Sequence, residues 1–273
     1  MKTKRKKTYR LNLTIGLVLL IILAGATLLS VFYMPYDPDA MSASEKLMAP
    51  SLSHIFGTDN FGRDIYCRVV RGMGTTFYVG TITVAIGTVF GIIIGAFTGY
   101  FGGIFDEVIM RFNDAVSSFP SILVALVFIS VLGPGKNNVI LALGIVFIPS
   151  FARIVRGEFL KQKNMDYVRS AKLMGASNLR IMFVHILPNT ISVLLSALAI
   201  GFNNAVLAEA GMSYLGIGVQ PPNASLGSLL SDSQSYLFKA PWFAIFPGLV
   251  LIALVLGFTL VSDALNQRNR ERD

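Results

Sequence analysis

The chain has 273 residues, of which 53% are hydrophobic and 14% are charged, and its mean hydropathy is +0.64. A soluble domain carries about 25% charged residues, so this composition excludes an ordinary globular fold and indicates a membrane protein. The net charge of +8 is not accompanied by a soluble basic face or a groove-reading element, so no nucleic-acid partner is expected. The single Cys67 excludes an internal disulfide framework.

Six long uncharged runs follow one another along the chain. Each is a candidate membrane-spanning helix, because such a helix needs about 20 mostly apolar residues. The fourth run is short and must extend into its neighbours to cross a membrane. The first run is longer than the roughly 7–15 apolar residues of a signal peptide, which favours a retained helix. The sequence therefore predicts one all-α membrane domain over 1–273, with six transmembrane helices at Leu13–Tyr33, Phe77–Phe101, Ala115–Leu132, Asn137–Ala152, Ile186–Ala208 and Pro241–Ser262.

The positive charges predict the orientation of these helices. Of the 23 Lys and Arg residues, 17 fall on the side of the two termini and 6 on the opposite side. The positive-inside rule then places both termini in the cytoplasm. A basic cytoplasmic tail is expected over 1–12, in contact with anionic membrane lipid. The other predicted segments are a cytoplasmic loop over 157–189 and extracytoplasmic segments over 35–71 and 210–240.

Charged residues outside the spans fall into two groups. Asp59, Arg63 and Asp64 are expected to form local caps and ion pairs, with contact to a docking partner as the alternative. The second group surrounds the start of the third span, where spacings of three and four residues on a helix favour local salt bridges. These are Glu107–Arg111 and Arg111–Asp114, next to Asp106.

The second span carries glycine at every fourth position. Because an α-helix has 3.6 residues per turn, these glycines form a slowly winding stripe along one side. Such stripes let two helix backbones approach closely. The stripe therefore predicts a helix-packing surface, either within this chain or between two subunits, formed by Gly87, Gly91, Gly95 and Gly99.

A polar stretch, Asp166–Asn189, lies between two apolar spans. Its Arg169, Lys172 and Arg180 would each cost roughly 2.5–3.5 kcal/mol at the centre of a spanning helix, so the stretch must be a loop outside the membrane. The pattern predicts a short helix to Met174, a break at Gly175 and a second helix capped by Ser177. Pro188 is expected to mark the entry to the fifth span.

This loop resembles the shared cytoplasmic loop of the inner-membrane permease subunits of ABC importers. That loop reads Glu-Ala-Ala, three residues, Gly, nine residues, Ile, one residue, Leu-Pro. Arg, Ser and His replace its Glu, first Ala and Ile in this chain. The matching positions are Arg169, Ser170, Ala171, Gly175, His185, Leu187 and Pro188.

Two further segments resemble the C-type subunit of the dipeptide, oligopeptide and nickel branch of these permeases. They read HIFGTDNFGRD over 54–64 and EAGMSYLGIGVQPP over 209–222. With the spans between them, the likeness extends from about Pro35 to Ala264. It implies the type I ABC importer permease fold and a conduit for di- or oligopeptides in a prokaryotic cell membrane, working by alternating access.

The resemblance also implies partners. They are a second homologous permease forming a heterodimer, two ATP-binding subunits that hold ATP and Mg, and an extracytoplasmic substrate-binding protein. In the family the loop couples the permease to the ATP-binding subunit. The buried contacts on this chain would be Tyr167, Ala171, Leu173, Met174, Gly175 and Ala176. Arg169, Lys172 and Arg180 would pair with acidic groups at the rim, and Asp166, Ser177 and Pro188 complete the predicted coupling loop.

Polar residues inside spans are candidates for the translocation path. Asn203 and Asn204 are 100° apart on a helix, so at most one faces a central passage, and the other is expected to pack between helices. Glu209 lies nearer the outer end of the same span and is expected to meet substrate or the binding protein.

Nothing in the sequence predicts catalysis in this chain. It has no G-x-x-x-x-G-K-[ST] phosphate loop, so it is not expected to be an enzyme or to hold a cofactor. By the predicted topology His54 and His185 lie on opposite faces of the membrane and cannot share a metal. One alternative is a nickel or metal-chelate permease of the same branch. Another is an ion-coupled secondary transporter, whose expected paired intramembrane acids and inverted repeats are not seen.

Overall fold

The computed structural model describes the backbone of residues 2–270 and the side chains of residues 11–267 except Val31. Met1 and residues 271–273 lie outside the described residues, as do the side chains of most of the predicted basic tail. The described chain contains no β-strand, and its helices confirm the predicted all-α class. In order they are α1 (Lys2–Phe32), α2 (Ile65–Phe101), α3 (Gly103–Ser117), α4 (Ser121–Leu132), α5 (Lys136–Gln162), α6 (Asp166–Leu173), α7 (Asn178–Arg180), α8 (Leu187–Tyr214), α9 (Leu226–Ser233) and α10 (Trp242–Arg270).

Five of the described helical stretches are long and apolar enough to cross a membrane. They are α1, α2, α5, α10 and the continuous stretch from α7 to α8. The short fourth run does extend into its neighbours, since α5 has 27 residues. α2 begins twelve residues before the predicted second run, because Asp64 caps it and its first turns carry paired arginines. The first turns of α2 therefore lie within the predicted 35–71 segment.

The third predicted span is a bent pair of helices rather than one rod. α3 and α4 meet at 86° across a short break. The break ends at Pro120, which lacks a backbone N–H and disfavours helical geometry at the residue before it. Counted with this bent pair, the described chain has the six predicted spans.

α2 is the central helix of the fold and packs against α5 and α8. The glycine stripe forms the contact with α5. A Cβ atom on Gly91 would lie 2.5 Å from the Phe151 Cβ, and one on Gly99 would lie 2.7 Å from the Phe159 Cβ. Of the two predicted settings for the stripe, the structure confirms packing within the chain. Gly87 and Gly95 make the same kind of contact with α5.

The segment between α1 and α2 is held by buried polar contacts, as its charged residues predicted. Asp59 accepts from the Arg63 Nε at 2.6 Å and from two backbone N–H groups. Asp64 accepts from the Cys67 N–H at 2.8 Å, which caps α2, and its other oxygen lies 2.9 Å from the His54 Nδ1. Buried charges are tolerated when they are paired in this way. The segment is therefore a fixed part of the fold.

α3 is tied to α5 by contacts that local spacing did not predict. The Glu107–Arg111 pair forms at 2.8 Å as expected. Asp114 instead pairs with Arg153 at 2.7 Å, and Asp106 accepts two hydrogen bonds from Arg156. The predicted pairing of Asp114 with Arg111 is therefore wrong, because the partner of Asp114 is Arg153. Both arginines lie on α5, about 40 to 50 residues away in sequence, so no helical spacing could show them.

Candidate functional site

The loop between α5 and α8 adopts the predicted helix–turn–helix. α6 ends in a glycine turn, in which the Ala176 N–H donates to the Ala171 carbonyl and the Gly175 N–H to the Lys172 carbonyl. Gly175 has φ +81°, a left-handed conformation that glycine adopts without a steric penalty. Ser177 then caps α7 by accepting from the Arg180 N–H. The local sequence therefore dictates this part of the site.

One face of α6 is buried against the helices. Val168 is 0% exposed and Ala171 is 3% exposed, in an apolar cluster with Phe159 and Met182. The Tyr100 hydroxyl of α2 donates to the Asn178 Oδ1 at 2.9 Å. The predicted contact of Ala171 with a partner subunit is therefore wrong, because its own chain already covers it.

The opposite side of the turn is exposed and apolar. Leu173 is 89% exposed and Met174 is 80% exposed. Large apolar side chains exposed next to each other at a loop tip are typical of a protein interface. The predicted contacts Tyr167 and Gly175 are also on the surface, and Ala176 is half-buried. At the tip, the exposed apolar side chains of Leu173 and Met174 therefore lie among exposed cations. These cations are Arg169, Lys172 and Arg180.

Tyr167 lies at the edge of this tip and is anchored to α5. Its hydroxyl donates to the Gln162 Oε1 at 2.9 Å. Partial burial raises the pKa of Tyr167 above its ordinary value. The phenol of a tyrosine is protonated at neutral pH even without this shift, so it can donate this bond. Asp166 begins α6, and its carboxylate lies 3.5 Å from the Arg169 guanidinium. The bond from Tyr167 to Gln162 ties the start of α6 to the end of α5.

Pro188 is the second residue of α8, which agrees with its predicted place at the entry to the fifth span. The chain is helical from Asn178 to Tyr214, and a π-helical stretch, Ile181–Ile186, precedes the proline. Proline lacks an N–H and its ring clashes with the carbonyl four residues earlier. A π-turn accommodates this locally, and here the Leu187 N–H donates to the Met182 carbonyl. The loop and the span that follows it are therefore one continuous element.

The three candidate path residues on α8 do not share one face. The Asn203 Nδ2 donates to the Thr259 Oγ1 of α10 at 2.6 Å, so Asn203 is the residue that packs between helices. Asn204 is exposed on the surface of the chain. Glu209 is 0% exposed, so the expectation that it meets substrate or the binding protein is wrong in this structure. Its carboxylate is hydrogen-bonded to Thr76 and Ser213.

Sequence reasoning missed Thr76 and Thr259, the hydroxyl partners of these residues. Both are threonines inside apolar helices, 133 residues from Glu209 and 56 residues from Asn203. A hydroxyl in a spanning helix usually bonds to its own backbone, so neither position carries a signal in the sequence. Only the packing of α8 against α2 and α10 brings each pair together.

This fold and loop define an importer-type membrane permease, and the comparisons with known proteins agree. A family described as "Binding-protein-dependent transport system inner membrane component" matches residues 87–271. The chain belongs to this family of bacterial inner-membrane, multi-pass transport components. The family is a transport component and not a catalytic subunit.

Several relatives cover almost the whole chain. A putative peptide transport system permease protein of Brucella suis is 41% identical over 96% of this chain and 88% of its own length. The dipeptide transport system permease protein DppC of Haemophilus influenzae is 37% identical over 92% of this chain and 87% of its own. A glutathione transport system permease protein, GsiD, of Pectobacterium atrosepticum is 37% identical over 92% of this chain and 83% of its own.

Solved structures support the fold. A chain of the MetNI methionine ABC transporter in an inward-facing conformation aligns with a TM-score of 0.59 at 20% identity, covering 75% of this chain and 96% of its own. A chain of an amino acid ABC transporter crystallised with histidines aligns with a TM-score of 0.56 at 20% identity, covering 74% and 93%. The architecture is therefore that of the type I importer permeases.

Proposed function

We propose that this chain translocates short peptides as the permease subunit of an ATP-driven importer. The substrate class is supported by relatives 37–41% identical that are named as peptide and dipeptide permeases. A further relative is named as a glutathione permease. Dipeptides and glutathione are both short peptides, so the proposal is for that class. Nickel or a metal chelate is the competing cargo.

The observation that carries the mechanism is the exposed tip of the loop between α5 and α8. Leu173 and Met174 project from the turn at Gly175, while Val168 on the inner face is packed against the spans. We infer that the tip inserts into an apolar groove of an ATP-binding subunit, with Arg169 and Lys172 against acidic groups at its rim. ATP and Mg bind to that partner, and this chain needs no cofactor.

The remaining assembly follows from the proposed topology. The excess of Lys and Arg would put both termini and the loop tip in the cytoplasm, and the segments 35–71 and 210–240 outside. Two ATP-binding subunits would drive a heterodimer of this chain and a homologous permease. An extracytoplasmic binding protein would deliver the peptide to the outer face. Alternating access then carries each peptide inward.

Within the spans, Asn204 is the proposed path residue. Its side chain is exposed on the chain, and a polar group facing lipid would be costly. A water-filled passage or a partner subunit must therefore cover it. The neighbouring Asn203 donates a hydrogen bond to Thr259 of α10. Thr259, like Asn204, is an exposed polar residue. An amide side chain can both donate to and accept from the main chain of a peptide.

Reconstitution of the purified complex in proteoliposomes tests this function. The complex is isolated through a tag on this chain and supplied with ATP at the ATP-binding side and with binding protein on the other. Uptake of a labelled dipeptide is expected, and it should require both ATP and the binding protein. Uptake of nickel without peptide uptake would contradict the substrate class. Uptake driven by an ion gradient without ATP would contradict the transporter class.

A further inference from the structure

The Glu209 carboxylate is buried at the junction of three elements and is bound by hydroxyl groups. The Thr76 Oγ1 of α2 donates to its Oε2 at 2.9 Å. The Ser213 Oγ, one turn along α8, donates to its Oε1 at 2.6 Å. No ion pair to Glu209 is formed by the residues that the structure describes. Both oxygens of the carboxylate are therefore engaged by neutral donors.

Each of these hydroxyls also holds a backbone N–H group of the loop between α8 and α9. The Ser213 Oγ accepts from the Val219 N–H at 3.0 Å. The Thr76 Oγ1 accepts from the Leu226 N–H at 3.2 Å. A hydroxyl has one proton and two lone pairs, so each proton goes to Glu209 while the lone pairs remain free for the loop. Glu209 thus orients the anchors of two points in the loop, seven residues apart.

Close packing presses the same loop against α2 and α8. A Cβ atom on Gly72 of α2 would lie 3.1 Å from the backbone carbon of Ser225. A Cβ on Gly218 would lie 2.5 Å from the Ser213 Cα, and Gly227 at the start of α9 is pressed against the Ala210 backbone. The loop therefore has little free space between α2 and α8. Its Val219 and Ala224 side chains are buried, whereas Asn223 is exposed.

The helix that carries Glu209 begins three residues after the glycine of the loop tip, at Asn178. The continuous stretch Asn178–Tyr214 has 37 residues, which gives a length of roughly 55 Å at 1.5 Å per residue. One end follows the proposed docking site for the ATP-binding subunit, to which the turn at Gly175 joins it. The other end holds the α8–α9 loop through Glu209. A displacement of the docking site is therefore carried to the loop through the glycine turn and one helix that contains the π-turn.

We propose that Glu209 is a positioning residue that fixes the α8–α9 loop to α8, so that the outer face of the path moves with the coupling loop. The proposal rests on the proposed function for the direction of coupling, but the attachment of the loop does not depend on it. Without the carboxylate the loop separates from α8, and ATP hydrolysis is no longer matched to movement at the outer face.

The variants Glu209→Gln and Thr76→Val separate this role from a general loss of folding. A glutamine amide keeps the shape of the side chain, but its NH2 group cannot accept, so one hydroxyl proton loses its acceptor. Thr76→Val is nearly isosteric and removes the hydroxyl that donates to Glu209 and accepts from the Leu226 N–H, while the Ser213 anchor remains. If Glu209→Gln does not yield a folded complex, Thr76→Val decides the outcome.

The first readout is thiol labelling of the purified complex in a Cys67→Ser background. Ala224→Cys reports on a buried loop position, and the adjacent Asn223→Cys is the exposed control. Labelling of residue 224 is expected to be roughly two- to tenfold faster with Glu209→Gln or Thr76→Val, corresponding to one lost hydrogen bond. Labelling of residue 223 should not change. An unchanged rate at residue 224 in both variants would overturn the proposal.

The second readout is the number of ATP molecules hydrolysed per peptide imported. A positioning role predicts that Glu209→Gln raises this ratio severalfold while the ATP hydrolysis rate is retained. A merely structural residue would lower hydrolysis and uptake together and leave the ratio unchanged, which would contradict the proposal. If the wild-type complex imports no peptide, the proposed function fails, while the labelling result still decides whether Glu209 attaches the loop.

Discussion

Gly175 is the residue of the loop whose backbone conformation allows the fewest substitutions. Its φ of +81° is left-handed, yet a Cβ atom there would meet nothing within 4 Å. Any loss on substitution therefore comes from backbone strain and not from a steric clash with a neighbour. A substitution at Gly175 therefore tests the shape of the turn without changing the packing around it.

We expect Gly175→Val to prevent coupled transport. A β-branched residue in this conformation costs roughly 1–2 kcal/mol or more and would shift the turn and with it Leu173 and Met174. Gly175→Asn is the matched control, because asparagine tolerates left-handed geometry. Binding-protein-dependent peptide uptake should be lost in the first variant and largely kept in the second. Equal uptake in both would show that the turn geometry is not needed.

At the scale of residues, the sequence predicts local backbone geometry well. It predicts poorly which side chains other helices will bury. The turn at Gly175 and the cap at Ser177 depend on neighbours within five residues, and both formed as predicted. The burial of Ala171 and Glu209 depends on residues from other helices, such as Tyr100 and Thr76. A spacing along one helix cannot report which side another helix will cover.

At the scale of elements, the contact of α2 with α5 depends on the absence of side chains along the stripe. A Cβ atom at position 95 would lie 2.7 Å from the Val155 Cβ and would also meet the Ala152 carbonyl. Backbone atoms cannot rotate away as a flexible side chain can. The two helices would have to move apart along their length.

Gly95→Ala is therefore expected to destabilise the protein by about 1–3 kcal/mol, as overpacking does in well-packed cores. Gly25→Ala on α1 is the control, because a Cβ there meets nothing within 4 Å. Thermal unfolding of the two purified variants in detergent measures the difference. A Gly95→Ala protein as stable as the Gly25→Ala protein would contradict the packing described here.

Two prolines had opposite effects on the predicted elements. Pro120 immediately precedes α4 and lies in the break that divides the third span, where the chain turns by 86°. Pro188 lies in a continuous helix, because the π-turn before it satisfies the backbone. Hydrophobic run lengths located the spans, since burial in lipid requires only apolar composition. Whether a proline produces a break or a π-turn depends on how the helices pack, and the lengths of the hydrophobic runs do not show this.

At the scale of the whole molecule, the proposed orientation can be tested directly. A reporter enzyme active only outside the cytoplasm, fused after Asp64 or Ser228, is expected to be active. The same reporter fused after Lys163 or Asp273 should be silent, because the positive charges hold these positions inside. Activity after Lys163 would place the loop tip outside and would remove the argument that it meets an ATP-binding subunit.

The assembly is the part of the account least accessible to the sequence of one chain. The six spans and the loop follow from apolar periodicity and charge, but the surfaces that meet partners are defined only once the helices are packed. The exposed tip at Leu173 and Met174 is such a surface. The account therefore depends most on what binds there.

The most direct measurement is the amount of ATP-binding subunit that copurifies with the tagged permease when Leu173→Asp and Met174→Asp are combined. Placing two carboxylates in an apolar groove should weaken binding by at least roughly tenfold, so most of the partner is expected to be lost together with peptide uptake. Leu52→Asp, at an equally exposed leucine between α1 and α2, should retain the partner. Full retention of the partner and normal uptake by the double variant would contradict coupling through this loop.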